Sequence, residues 1–211
     1  MPDHSADWIA EFRHLEIDKV FYLAPLDNLH SILANGVLSL NEVTERDLAN
    51  ADISEPSVQE RRDTRGLHDF VPLYFARLTP MSSRRRDRTG ELCILVIKVA
   101  TVCDQAGLLW FTDGNAASAE TSCYSNPSRL RAELPLQVIN ADYWTNHEDG
   151  KRRRCAELLV HPSVSTTSIE AIEVANSTSI SQVNAAINDA QASQPSGWTC
   201  KCVVNPASFF T

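Results

Sequence analysis

Glycine is scarce, with 7 residues in a chain of 211. Dinucleotide folds of the Rossmann kind and Walker phosphate loops need clustered glycines so that backbone amides can approach a phosphate, and the chain holds no such cluster. Long apolar runs are also missing, and none approaches the roughly 20 residues that span a bilayer. The opening stretch, MPDHSADWIAEFRHLEIDKV, is charged and lacks the apolar centre of a signal peptide. The 6 cysteines stand at 93, 103, 123, 155, 200 and 202. Cys200-Lys-Cys202 is a C-x-C without a second pair at knuckle spacing, so no metal site is expected. The expectation is a cytoplasmic protein with no membrane attachment and with reduced, mostly buried thiols. Basic charge is in deficit as well, with 19 Lys and Arg against 27 Asp and Glu and a net charge of −8. That balance argues against indiscriminate nucleic-acid binding over the whole surface but leaves room for a local basic groove.

What is present fits one globular domain. The 43% apolar and 22% charged fractions can bury a real core. The reading is a single domain over 1–211, with 1–19 as an N-terminal extension, and a monomer. The organising stretch is Leu67 to Met81, LHDFVPLYFARLTPM. Its apolar run Phe70–Phe75, between Gly66 and Pro80, reads as a buried strand, with Pro72 at a strand start or an edge. Cationic clusters flank it, Arg61/Arg62/Arg65 before and Arg84/Arg85/Arg86/Arg88 after. Two readings follow: a core strand with solvated arginines, or an anionic ligand lying across the strand.

Elsewhere, residues 7–15 form a short helix or turn and 20–23 a first strand. Asp27 caps a helix over 29–35 that Gly36 closes. Residues 41–66 read as a long loop with a helical turn near Glu60, and 77–91 as a basic loop. The segment 91–99 is almost continuously apolar and reads as a central strand buried on both faces. Residues 102–107 make a helical turn, 108–111 a strand and 112–115 a turn, while 142–144 lie in a helix. The basic loop 151–157 leads into a strand at 158–160. A strand at 169–174, an amphipathic helix at 179–192 and a strand at 200–204 complete an α+β fold around mixed sheets.

The histidines at 30, 68, 147 and 161 are scattered and match no Ser-His-Asp or Cys-His arrangement. Glu157 is the more telling acid, because it opens an apolar strand directly after Lys151–Arg154. By alternation it points opposite to Leu158 and along with Leu159. The residues leave two readings open: an ion pair with Arg154 or Arg153, or an acid placed for chemistry.

The chain resembles the DarT family of DNA ADP-ribosyltransferase toxins, in particular its thymidine-modifying branch. The resemblance is carried by FYLAPLDNLHSILANGVLS at 21–39, QERR at 59–62, LHDFVPLYFARLTPM at 67–81, FTDGNAAS at 111–118 and CAELLV at 155–160. The 67–81 and 111–118 segments are the specific ones. The resemblance implies an ADP-ribosyltransferase fold, with two facing mixed or antiparallel sheets and peripheral helices around an NAD cleft. It implies NAD as co-substrate, a thymine base in single-stranded DNA as acceptor, and a cognate macrodomain antitoxin as partner. By the same resemblance Glu157 is the catalytic glutamate and Arg62 the key arginine. Tyr22, Leu23, Ala24 and Asn28 hold the nicotinamide ribose, and Tyr74 and Met81 lie in the NAD cleft. Asn115, Lys151 and Arg154 approach the DNA. The dense basic run adds Arg84 and Arg85 to that DNA-facing set.

The chemistry suits these roles. Cleavage of the nicotinamide–ribose bond passes through an oxocarbenium-like state that a carboxylate stabilises. An arginine offers a planar fork for pyrophosphate. The chain departs from the family at Leu23, where a histidine usually follows the strand tyrosine, and at Cys123, where an aromatic often precedes Tyr124. Two further readings keep company with the first: the same chemistry on RNA, a nucleoside or another small molecule, and a nucleic-acid-binding pseudoenzyme. Retention of both Arg62 and Glu157 argues against the last.

Overall fold

The computed structural model describes residues 5–48, 55–194 and 197–210. In chain order the elements are α1 (Ser5–His14), β1 (Lys19–Pro25), α2 (Leu29–Asn35), β2 (Val37–Leu38), α3 (Leu40–Glu45), α4 (Pro56–Thr64), β3 (Val71–Tyr74), α5 (Pro80–Ser83), β4 (Leu92–Lys98) and α6 (Val99–Gln105). There follow β5 (Leu108–Thr112), β6 (Cys123–Tyr124), α7 (Leu130–Glu133), α8 (Leu136–Ile139), α9 (Gly150–Arg153), β7 (Glu157–His161), β8 (Ser163–Val164), β9 (Ile169–Val174), α10 (Ile180–Gln191) and β10 (Lys201–Val204). The class is α+β, as the strand-rich pattern requires.

Eight strands run in the order β10-β9-β4-β1-β3-β7-β5-β6, and β2 pairs with β8. All neighbours in the large sheet are antiparallel except β10 and β9. The sheet is continuous by one thread only. β1 is paired with β4 along its full length, from Lys19↔Lys98 to Pro25↔Leu92, but meets β3 at the single pair Phe21↔Tyr74. Two four-stranded halves therefore join at one point within a single large mixed sheet. Pro72 lies beyond that one-pair ladder, where its missing N–H costs no hydrogen bond to β1.

One face of the sheet carries the main core. Val20 and Ala24 of β1, Leu73 of β3, Leu95 and Ile97 of β4, and Leu158 and Val160 of β7 pack there with α2 and α10. The other face is covered by two separate small clusters. Phe21, Leu23, Ile94, Val96 and Phe209 cover one half, and Leu67, Phe70, Ala116 and Leu159 the other. The alternation of β4 between the two faces explains its unbroken apolar sequence.

Several sequence expectations are corrected. Within the expected N-terminal extension, the described α1 packs into the domain: Trp8 and Phe12 are buried in the main core, where Trp8 meets Phe111 edge-on at 6.2 Å. Asp27 does not cap α2. A 3-10 turn at Leu26–Asn28 precedes the helix, and Asn28 holds the cap position without a side-chain capping bond to the helix. Gly36 does close α2, at φ +85, where an added Cβ would lie 2.5 Å from the Val164 carbonyl oxygen.

The described parts of 41–66 are mostly helical, not loop, with α3 to Glu45 and α4 over Pro56–Thr64, and residues 49–54 lie outside the described residues. Ser39 caps α3 by accepting from the Glu42 amide, and Pro56 begins α4 in the first helical turn, where its lost N–H has no helical partner to miss. The basic loop at 77–91 contains α5 and a 3-10 turn, the run before Glu157 contains α9, and in place of the helix expected at 142–144 there is a 3-10 turn at Trp144–Asn146. Among the described residues no helix is long and apolar enough to cross a membrane.

Candidate active site

A cleft of about 440 Å³ opens on the sheet face between the two small clusters. Register builds its floor. Tyr74 of β3 stands opposite Glu157 of β7, so both side chains leave the same face of the sheet. Glu157 is 1% exposed, and both of its carboxylate oxygens are held. Arg62 donates from Nη1 to Oε2 at 2.9 Å, and the backbone amide of Ala116 donates to Oε1 at 3.1 Å. Below the carboxylate, the Glu157 amide donates to Thr112 Oγ1 at 2.9 Å, and that hydroxyl donates on to the Gly114 carbonyl at 2.6 Å. Glu157 thus pairs with Arg62 from a distant helix, not with Arg153 or Arg154.

Arg62 is itself buried, and its Nη2 has no hydrogen-bond partner among the described residues. A buried guanidinium nitrogen without an acceptor is costly unless a ligand supplies one. Burial works against the Arg62 charge, but the adjoining Glu157 outweighs it and the guanidinium is held more firmly protonated than usual. Tyr74 is shifted well above the ordinary phenol range, by burial first and by the Glu157 charge second, so its hydroxyl stays a donor. It points to Met81 Sδ at 3.5 Å. Burial likewise pushes the Cys155 thiol, also on the cleft wall, up to about 12, and it stays a neutral thiol near neutral pH.

The cleft brings together most of the residues singled out from the sequence: Tyr22, Leu23 and Asn28 on the β1 side, Arg62 on α4, Tyr74 and Met81 at the seam, Glu157 on β7, and Arg84, Arg85, Asn115 and Lys151 toward the rim. Two residues do not belong to it. Ala24 is fully buried in the core on the opposite face. Arg154 is 7% exposed and donates to the carbonyls of Leu78, Val138, Ile139 and Ala141 at 2.7–2.8 Å. A guanidinium committed to four carbonyls is a strut that ties the 138–141 segment to Leu78, and it does not line the cleft. Arg84 is exposed and ion-paired with Glu55 at 2.6 Å, which holds the Glu55 carboxyl below its usual range through that bond.

Sequence reasoning missed the Ala116 amide, and also Gln59 and His68, which touch at 3.1 Å and line the cleft. The amide carries no side-chain signal. Gln59 was visible only as the first letter of QERR.

The family model for DarT, described as an ssDNA thymidine ADP-ribosyltransferase, matches residues 21–210. A DNA ADP-ribosyl transferase–DNA ADP-ribosyl glycohydrolase fusion protein of Thermosipho africanus (strain H17ap60334) is 31% identical over 180 residues, covering 81% of this chain and 46% of that protein. The chain thus spans about half the length of this relative. The structure of Thermosipho africanus DarTG in complex with ADP-ribose superposes with a TM-score of 0.78 at 27% identity, covering 92% of this chain and 51% of the other. Thermus sp. 2.9 DarT in complex with ADP-ribosylated ssDNA shares the fold, with a TM-score of 0.78 at 22% identity over 92% of this chain and 97% of the other. The family model takes in every element that builds the cleft, from β1 through β10, and leaves out little more than α1; the chain belongs to the DarT family.

Proposed function

We propose that this chain transfers ADP-ribose from NAD to a thymine base in single-stranded DNA and releases nicotinamide. The observation that carries the reading is the buried Arg62–Glu157 pair at the bottom of the cleft, with Arg62 Nη2 still lacking an acceptor. That nitrogen fits a phosphate or ribose oxygen of NAD, with Tyr22, Leu23, Asn28, Tyr74 and Met81 around the remainder of the dinucleotide.

Glu157 then faces the ribose carbon as positive charge develops on it. The C1′–nicotinamide bond breaks and its electron pair leaves with nicotinamide. In thymidine the sugar already occupies N1, so N3 carries the one ring proton. N3 forms the new bond to C1′, and Glu157 takes that proton. The fused glycohydrolase in the Thermosipho relative supports a cognate glycohydrolase that removes the mark, an antitoxin in function. NAD and DNA as substrates suit a cytoplasmic enzyme.

The test is incubation with labelled NAD and separate pools of single-stranded DNA, RNA and nucleosides, followed by mass analysis. Label on DNA alone supports the reading, and label on RNA or nucleosides alone overturns the acceptor.

Two consequences can be measured. Acceptor binding should run along Arg84, Arg85 and Lys151, three of the cations that line the cleft. Affinity for single-stranded DNA should fall with salt, and Lys151→Ala should flatten the log–log slope by about 0.7. An affinity insensitive to salt would point to a small neutral acceptor. Leu23 lines the cleft but is 9% exposed and packed against the apolar cluster of Ile94 and Phe209. It offers NAD contact surface and no hydrogen bond. Leu23→His should restore one neutral bond, worth about 0.5–1.5 kcal/mol, and tighten NAD roughly 2- to 10-fold without changing the acceptor. Loss of transfer in that variant would mean instead that leucine shapes the pocket.

A further inference from the structure

We infer that Arg65 is a positioning residue: it clamps the 113–121 loop so that the Ala116 amide is held on Glu157 Oε1. The inference rests on the transferase reading above and deepens it. Arg65 follows Arg62 by three positions at the end of α4, so both project from the same side of the helix end. Arg62 holds one oxygen of the carboxylate directly. Arg65 donates from Nη1 to the Ser118 carbonyl at 2.6 Å and from Nη2 to the Thr121 carbonyl at 2.8 Å. Ser118 is two residues beyond Ala116, whose N–H holds the other oxygen.

The far side of the same loop is fastened by Arg152. Its Nη1 donates to Asp113 Oδ1 and Thr121 Oγ1, both at 3.0 Å, and its side chain packs on Gly114, where an added Cβ would come within 2.5 Å of Nη1. Asn115 closes the turn, donating its amide to the Arg152 carbonyl and accepting from the Ala117 amide at Oδ1, both at 2.9 Å. The loop has little apolar anchorage beyond Ala116 and Ala117, so two guanidinium groups define its height over the sheet. One helix end therefore fixes both oxygens of Glu157, one through Arg62 and the other through the loop.

Arg65→Ala should lower kcat about 10- to 100-fold, as expected when a reacting group is misplaced by an ångström or less, with KM for NAD little changed. NAD hydrolysis without DNA should fall by the same factor, which separates positioning from DNA contact. Arg65→Lys, which can still donate to one carbonyl, should recover part of kcat. Hydrogen exchange supplies a readout that does not depend on turnover: the 113–121 segment, Ala116 included, should exchange faster in Arg65→Ala while β3 and β4 stay protected. Unchanged exchange in 113–121, or a wild-type kcat in the folded variant, would overturn the clamp. So would a rise in KM for DNA alone. If the wild-type protein labels no DNA, the acceptor reading fails, and the exchange result still decides the clamp.

Discussion

Glu157→Gln is expected to lower ADP-ribose transfer about 10³-fold or more while the protein stays folded. Glutamine keeps the volume of the side chain and one acceptor oxygen. On the proposed mechanism it removes the negative charge that faces the ribose carbon and the group that receives the base proton. The neighbours sharpen the effect, because both carboxylate oxygens are engaged, by Arg62 at 2.9 Å and by the Ala116 amide at 3.1 Å. An amide can serve only one of those donors and must turn its own NH₂ toward the other. Some stability is lost with it, since Arg62 is buried and keeps a weaker partner. Thermal unfolding separates the two effects. A folded Glu157→Gln protein with near-normal transfer would remove Glu157 from the chemistry.

Arg62→Ala should show the next largest loss, of about 10²- to 10³-fold in both NAD hydrolysis and transfer. It removes the nitrogen without an acceptor and leaves Glu157 buried without its counter-charge. Breaking a buried ion pair from one side costs about 3–5 kcal/mol, so this variant should also melt well below the parent. Arg62→Lys keeps the charge and one bond to Glu157 but cannot present a second nitrogen in the plane of the first. It should fold like the parent and still hydrolyse NAD poorly. Normal hydrolysis with weakened DNA binding in Arg62→Lys would assign Arg62 to the acceptor instead.

Much of this was legible in the sequence, and the reasons differ by element. β4 announced itself because a strand between two apolar layers has no polar face to show. Glu157 stood out as an acid opening an apolar strand, and its direction opposite to Leu158 follows from strand alternation alone. Its partner did not, because Arg62 lies 95 residues away and local charge counting favours Arg153 and Arg154. Arg154 illustrates the converse error. A basic run reads as a surface patch, yet four carbonyls absorb this guanidinium inside the fold. α4 was hidden by its polarity and by Pro56, which reads as a breaker until its place in the first turn is known. The family resemblance supplied the roles of Arg62 and Glu157. Neither composition nor spacing could have paired them.

The central claim, transfer of ADP-ribose to a thymine base through Glu157, is tested most directly on single-stranded oligonucleotides that carry one thymidine. The intact mass is followed after incubation with NAD, beside the same oligonucleotide carrying N3-methylthymidine. The account predicts one ADP-ribose on the thymidine oligonucleotide, none on the N3-blocked one, and none on either with Glu157→Gln. Equal modification of the blocked oligonucleotide, or modification by the Glu157→Gln protein at the parent rate, would contradict it.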